Sequence, residues 1–147
     1  YLSEAGANLM LKVLQNIEDG NIINSVSQND SEASYAHKIK KNESILNKNE
    51  SAQLVCRKVR AFNPYPVVNC IFRKKIIKIW EADIAEIDNY SKINLEPGKF
   101  IVIKENLYLQ LYDNAIKIIK IQPEGSRPMS AEEFINGYSV ITGESIT

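Results

Sequence analysis

The sequence predicts a mainly β domain, a small closed or nearly closed barrel, preceded by a helix-containing linker. Between residues 67 and 121 lie five short runs rich in isoleucine, valine, tyrosine and phenylalanine, joined by tight turns. Before them, residues 3–62 hold two stretches of helical periodicity separated by a polar connection. The chain therefore divides into a helical and linker part followed by a β part.

The five runs are predicted strands because apolar and polar residues alternate along them, most clearly over residues 77–81 and 107–111. Turn residues at 73–75, 97–98, 105–106 and 113–114 separate neighbouring runs. The predicted strands are Val67–Phe72, Ile76–Ile87, Phe100–Lys104, Leu107–Tyr112 and Ile116–Ile121.

Three segments have helical signals. Residues 3–19 form an amphipathic pattern, with Ser3 as a plausible N-cap and Gly20 at the C-terminal end. A second helix begins after Ser51 and stops at residues 63–66, where each of two prolines disfavours helical geometry in the residue before it. Near the C-terminus, residues 130–137 predict a short helix from Ala131 to Asn136, capped by Ser130 with Glu133 and ended by Gly137.

The formal net charge is zero, but the charges are segregated. Residues 31–80 carry eleven basic and three acidic residues, a net charge of +8, between flanks of −3 and −5. Lysine and arginine supply most of the affinity for the phosphates of nucleic acids, because they displace condensed counterions. A basic segment is also often an ordinary solvated surface, and both interpretations stay open on charge alone.

Catalytic chemistry has little support in this sequence. His37 is the single histidine and lies in a polar, lysine-rich stretch, so a surface position is expected. Cys56 and Cys70 have no C-x-x-C spacing, and two free thiols are the expected state. A structural zinc site needs four nitrogen or sulfur ligands, and this sequence offers two cysteines and one histidine, so no metal site is predicted. No catalytic residue, cofactor site or membrane-spanning run is predicted either.

Aromatic residues provide a weaker nucleic-acid signal. Trp80, Tyr65 and Phe72 could stack on unpaired bases. Their places in or beside alternating strands favour packing within the protein instead.

Three stretches resemble methionyl-tRNA formyltransferases in order and spacing. Residues 34–41 (SYAHKIKK) are similar to that family's Thr-Tyr-Ala-x-Lys-Ile-x-Lys segment. Residues 60–66 (RAFNPYP) resemble its Arg-Ala-Phe-Asn-Pro-Trp-Pro signature, with Tyr65 in place of the tryptophan. Residues 121–129 (IQPEGSRPM) resemble Leu-Gln-Pro-x-Gly-Lys-Lys-x-Met, with Ser126-Arg127 in place of the two lysines.

The resemblance implies a domain arrangement. Residues 1–20 are expected to be the last helix of an N-terminal formyltransferase domain that this chain lacks. Residues 21–48 are expected to be a linker, and residues 49–147 an OB-like Greek-key barrel with flanking helices, the formyltransferase C-terminal domain.

The resemblance also implies a function. The family transfers a formyl group from 10-formyltetrahydrofolate to the amino group of initiator methionyl-tRNA during translation initiation, with its catalytic residues in the N-terminal domain. This chain alone is expected to be inactive, monomeric, free of the membrane, and located in the bacterial cytoplasm or an organelle. The residues expected to contact tRNA phosphates are Lys38, Lys40, Lys41, Arg57, Lys58, Arg60, Arg73, Lys74, Lys75 and Arg127.

Two other interpretations stay open. A similar barrel in a formyltransferase acting on a sugar nucleotide or on folate would have a structural role and no RNA to bind. A stand-alone nucleic-acid-binding module is less consistent with the isolated first helix. The basic segment and the Asn63-Pro64 form of the signature favour tRNA.

Overall fold

The computed structural model describes residues 1–21, 25–85 and 95–147. The chain divides into two compact units, Tyr1–His37 and Lys38–Thr147. The first contains helix α1 (Leu2–Glu18) and a 3₁₀ turn, Asp30–Glu32. None of the helices in the described ranges has the length and hydropathy of a membrane-spanning segment.

Helix α1 confirms the first predicted helix but begins earlier than expected. Tyr1 occupies the N-cap position without a side-chain hydrogen bond, so the prediction that Ser3 caps the helix is wrong. Gly20 follows the C-cap residue with φ of +71°, a left-handed conformation that glycine adopts without a Cβ clash. No residue of α1 is buried, and Leu9, Met10 and Leu14 are exposed.

The second unit consists of one antiparallel sheet with two helices. Its elements are a 3₁₀ turn (Lys41–Ser44), α2 (Ala52–Ala61), β1 (Val68–Phe72), β2 (Lys75–Ile84), β3 (Phe100–Ile103), β4 (Asn106–Gln110), β5 (Ala115–Pro123), β6 (Met129–Ser130) and α3 (Ala131–Tyr138). The predicted mainly β domain is confirmed. The expected strand over residues 76–87 corresponds to β2, and its last two residues lie outside the described ranges.

The strand order is β1-β2-β5-β4-β3, with β6 beside β5. Both edge strands of the sheet are hydrogen-bonded to the C-terminal segment, residues 144–147. Ile71 in β1 exchanges two backbone hydrogen bonds of 2.9 Å with Thr147, and the Phe100 N–H in β3 donates to the Glu144 carbonyl at 2.8 Å. The sheet must therefore curve until both edge strands reach one segment, as a small barrel requires. The OB-like Greek-key assignment remains a prediction.

The core lies between the concave face of this sheet and its two helices. Phe72 packs edge-on against Phe100, with ring centroids 5.1 Å apart, and contacts Phe134 of α3. Phe72 is thus a core residue, as its alternating strand position favoured, rather than a base-stacking one. Helix α2 buries Val55, Cys56 and Val59 against β2 and β5.

Local sequence signals predicted the starts of α2 and α3 correctly and the end of α3 wrongly. Ser51 Oγ accepts from the Leu54 N–H at the start of α2, and Ser130 forms the expected capping box with Glu133. The prediction that Gly137 ends the last helix is wrong. Helix α3 continues through Tyr138 and ends at Ser139, which adopts the left-handed conformation that glycine usually supplies.

Candidate nucleic-acid interface

The ten predicted contact residues lie in four places. Three lie before α2, three are on α2, three form the β1–β2 turn, and Arg127 follows β5. All are exposed except Lys58, which is partly buried. Exposure alone does not make a phosphate contact, and the side-chain partners of these residues divide them sharply.

The segment before α2 carries exposed lysines on a turn that is hydrogen-bonded to β1. The Leu46 N–H donates to the Asn69 carbonyl in β1 at 2.8 Å, and the Asn69 amide donates to Ser44 Oγ at 2.9 Å. Glu43 accepts a hydrogen bond from the Lys40 backbone N–H rather than pairing with its ammonium. The ammonium groups of Lys40 and Lys41 have no ion pair among the described residues, so they remain available to an anion.

On α2, adjacent basic residues have different surroundings. The Lys58 ammonium lies 2.6 Å from the Glu50 carboxylate, and both side chains are largely buried. Arg57 and Arg60, one helical turn apart, have no carboxylate within ion-pair distance in the part of the chain that the structure describes. Lys58 therefore anchors α2 to the preceding loop, whereas Arg57 and Arg60 project into a groove.

This groove, which we call the α2 groove, has a volume of about 700 Å³. One wall is α2, and the other consists of side chains from β2, β4 and β5. Asp83 in β2 and Tyr108 in β4 are both register partners of Lys117 in β5, so the three side chains form a row across three strands. The lining residues are Gln53, Cys56, Arg57, Arg60, Asp83, Ile84, Tyr108 and Lys117.

Lys117 is a functional candidate that sequence reasoning missed. It lies outside the basic segment, in a region of net negative charge, and within an alternating strand. Only the pairing of β5 with β2 and β4 places it opposite Arg57 and Arg60. The alternation of Ile116, Lys117 and Ile118 indicated an outward lysine but not its neighbours.

The three basic residues of the β1–β2 turn differ in their side-chain partners. Arg73 binds both carboxylate oxygens of Glu144 at 2.8 Å and also donates to the carbonyls of Tyr138 and Ser139. Lys74 and Lys75 extend from the turn without such partners among the described residues. Lys74 and Lys75 therefore have ammonium donors available to a phosphate, whereas Arg73 already donates four hydrogen bonds within the protein.

Glu144 responds to this contact. Partial burial tends to raise the pKa of its carboxyl, but hydrogen bonds from the Ile141 N–H and from Arg73, together with the arginine charge, outweigh burial and lower it. The folded protein therefore stabilises the ionised form of Glu144.

The basic groups do not form a single patch. Lys75 begins β2 and Asp83 lies eight positions further along it, a distance of about 26 Å at roughly 3.3 Å per residue. The turn lysines and the α2 groove are therefore at opposite ends of β2. Arg127 is also separate and lies 3.6 Å from Glu133. Any RNA that contacts all of them must extend along the domain.

The aromatic residues Trp80 and Tyr65 have different surroundings. Trp80 donates its indole N–H to the Gln122 side chain at 2.8 Å, and its carbonyl accepts from the Asn63 amide. A shallow hollow lined by Trp80, Asn63 and Arg60 adjoins the groove. Tyr65 is exposed and therefore remains free to stack on a base.

The two cysteines are free and buried. Desolvation raises the pKa of Cys70 to about 12, and burial, reinforced by Asp83 and opposed by Arg60, raises the pKa of Cys56. Both are therefore protonated thiols at neutral pH and poor nucleophiles. Within the described ranges, no group of three or more His, Cys, Asp or Glu residues is arranged to hold a metal ion.

Comparisons with known proteins agree with this architecture. The chain is 34% identical over 146 residues to methionyl-tRNA formyltransferase of Carboxydothermus hydrogenoformans, covering 98% of this chain and 46% of that protein. For the same enzyme of Dictyoglomus turgidum the identity is 37% over 147 residues, covering 97% and 45%. The chain thus spans about half the length of the curated relatives it matches.

A solved structure of HypX from Aquifex aeolicus in complex with tetrahydrofolic acid shares the fold. Its TM-score is 0.59 at 19% identity, covering 87% of this chain and 23% of HypX. A family model described as formyl transferase, C-terminal domain, matches residues 38–139. That match spans most of the chain, and the chain therefore belongs to the formyl transferase C-terminal domain family.

Proposed function

We propose that this chain is the tRNA-binding C-terminal part of a methionyl-tRNA formyltransferase. The parent enzyme formylates the amino group of initiator methionyl-tRNA, using 10-formyltetrahydrofolate bound by its N-terminal domain. The observation that carries the proposal is a set of cations in the second unit that have no ion pair among the described residues, at Lys40, Lys41, Arg57, Arg60 and Lys117. This chain by itself is proposed to hold RNA and to catalyse nothing.

The charges support RNA rather than a small anion. A nucleic-acid strand presents a phosphate every few ångströms, so cations spread over some tens of ångströms can bind it together. The α2 groove and the turn lysines are separated by such a distance. A free phosphate or a nucleotide sugar would occupy one group and leave the other unused.

We also propose a division of the chain into three parts. Residues 1–20 belong to the N-terminal domain, residues 21–48 link the two domains, and residues 49–147 form the RNA-binding domain. The N-terminal domain and the tRNA are the proposed partners, the protein is monomeric, and it works in the bacterial cytoplasm or an organelle.

Binding of initiator tRNA to this chain across a salt series tests the proposal. Affinity is expected to fall steeply with salt, with a slope of log K against log salt of about −0.9 per neutralised phosphate. An elongator tRNA is the control and is expected to bind similarly, because contacts to phosphates position RNA without reading its sequence. Absence of binding at low salt would favour the barrel of a sugar-nucleotide or folate formyltransferase.

A further inference from the structure

The α2 groove combines opposite charges in a way that a simple phosphate track does not require. Arg57, Arg60 and Lys117 converge on it, and the Asp83 carboxylate lies beside Lys117 on the neighbouring strand. No ion pair joins Asp83 to these cations within the described ranges. A carboxylate at this place repels a bare phosphate, so its presence favours a ligand that also brings a hydrogen-bond donor.

The remaining lining is mainly polar, with one exposed apolar side chain. Ile84 is exposed, whereas Tyr108 and Cys56 are buried and contribute little surface. Gln53 adds an amide on the helix side. The volume of about 700 Å³ falls within the range of roughly 300–1,000 Å³ that small-molecule sites occupy. A nucleoside with its phosphate would fit in this space.

We infer that the α2 groove binds one nucleotide unit of an RNA strand and favours a base with an exocyclic amino group. Arg57, Arg60 and Lys117 hold the phosphate, and Asp83 accepts a hydrogen bond from the amino group. Carboxylates accept in this way from cytosine N4, a donor that uracil replaces with an acceptor oxygen. The inference rests on the proposed function in that RNA is the ligand, and it adds base selection to it.

The test compares short oligocytidylate and oligouridylate of equal length, titrated into the chain at neutral pH and followed by fluorescence anisotropy. The unmodified chain should bind the cytidylate more tightly by a factor of roughly ten or more, as one hydrogen bond to a charged group supports. Cytidylate also stacks better than uridylate in solution, so the preference alone is not sufficient. Asp83→Ala must reduce it to near equality, because alanine has no acceptor for the amino group. Asp83 is exposed, so the variant is expected to fold.

Variants of two lysines on β5 distinguish a general effect of charge from binding in the groove. Lys117→Ala should weaken both oligonucleotides by a similar factor, whereas Lys120→Ala should change neither, because Lys120 is exposed and lies outside the groove. Equal binding of the two oligonucleotides to the unmodified chain, or a preference that survives in Asp83→Ala, would overturn the inference. Equal effects of the two lysine variants would overturn it too.

The outcomes also separate this inference from the proposed function. Binding to initiator tRNA without a cytidylate preference would leave the proposed function standing and remove base selection. A preference that depends on Asp83, without affinity for initiator tRNA, would retain the groove as an RNA site and remove the tRNA assignment.

Discussion

Arg73 holds Glu144 in a two-pronged contact, with Nε donating to Oε1 and Nη2 to Oε2, each at 2.8 Å. The two residues are 71 positions apart, at the β1–β2 turn and in the C-terminal segment. That segment is also hydrogen-bonded to both edges of the sheet. The contact therefore fixes the residues that join the two edge strands.

The first prediction concerns this pair and stability. Arg73→Ala should lower the free energy of unfolding by about 1–2 kcal/mol, since it breaks a paired charge contact and leaves two backbone carbonyls with one donor fewer. Urea denaturation would measure the change. In a double-mutant cycle, Glu144→Ala should cost less once Arg73 is gone, and the remaining cost should reflect its hydrogen bond from the Ile141 N–H. Additive effects of the two substitutions would contradict coupling between Arg73 and Glu144. A large loss of tRNA affinity in Arg73→Ala with unchanged stability would mean that Arg73 contacts RNA instead.

The second prediction concerns pH. The pKa of Glu144 is lowered in the folded protein, so the unfolded chain binds more protons as its ordinary glutamate pKa is approached from above. The stabilisation from Glu144 is therefore fully present above that value and is lost as pH falls through the lower, folded pKa. Acid unfolding curves should show a smaller acid-induced loss of stability in Glu144→Gln than in the unmodified chain. Parallel curves would exclude Glu144 as a contributor.

The third prediction separates two neighbours on α2. Arg57→Ala should weaken tRNA binding and reduce the salt slope by about one unit. Lys58→Ala should leave affinity nearly unchanged and instead cost about 1–2 kcal/mol of stability. The reason is that Glu50 would lose its cation while its Oε2 is already buried without a hydrogen-bond partner among the described residues. Affinity titrations and thermal unfolding of both variants decide, and interchanged effects would contradict the assignment.

These neighbours show how far the sequence could reach. It predicted the helix, its start after Ser51 and its proline stop, because those depend on residues adjacent in the chain. It could not separate Arg57 from Lys58, because Glu50 approaches Lys58 only after the loop before α2 folds back.

The same limit applies to Arg73 and Lys117. Composition placed Arg73 in the basic segment and Lys117 in an acidic one. Only the fold pairs Arg73 with a carboxylate and brings Lys117 opposite two arginines. Local signals therefore predicted the elements and most of the basic surface, whereas the partner of each charge depended on contacts between distant strands.

The fourth prediction concerns the segment before α2. Replacing Lys40 and Lys41 by glutamate should weaken tRNA binding about tenfold or more at low salt, because two attractions become repulsions near the phosphates. Replacement of Lys104 and Lys120 by glutamate is the control, since it makes the same change of charge at exposed sites outside the proposed surface. Equal losses in the two double variants would mean that net charge alone governs binding.

The fifth prediction concerns two isoleucines near the C-terminus. Ile146 is buried and forms an antiparallel bridge with Phe72, whereas Ile141, five residues earlier, is 65% exposed. Ile146→Ala should cost about 2–4 kcal/mol of unfolding free energy, because it opens a cavity where the C-terminal segment meets the core. Ile141→Ala should cost less than about 0.5 kcal/mol, as exposed substitutions usually do. Chemical denaturation of both variants gives the comparison. A small effect at Ile146 would mean that the segment is not needed to hold the two edge strands together, and the curvature of the sheet would then have to come from its strand pairing and core alone.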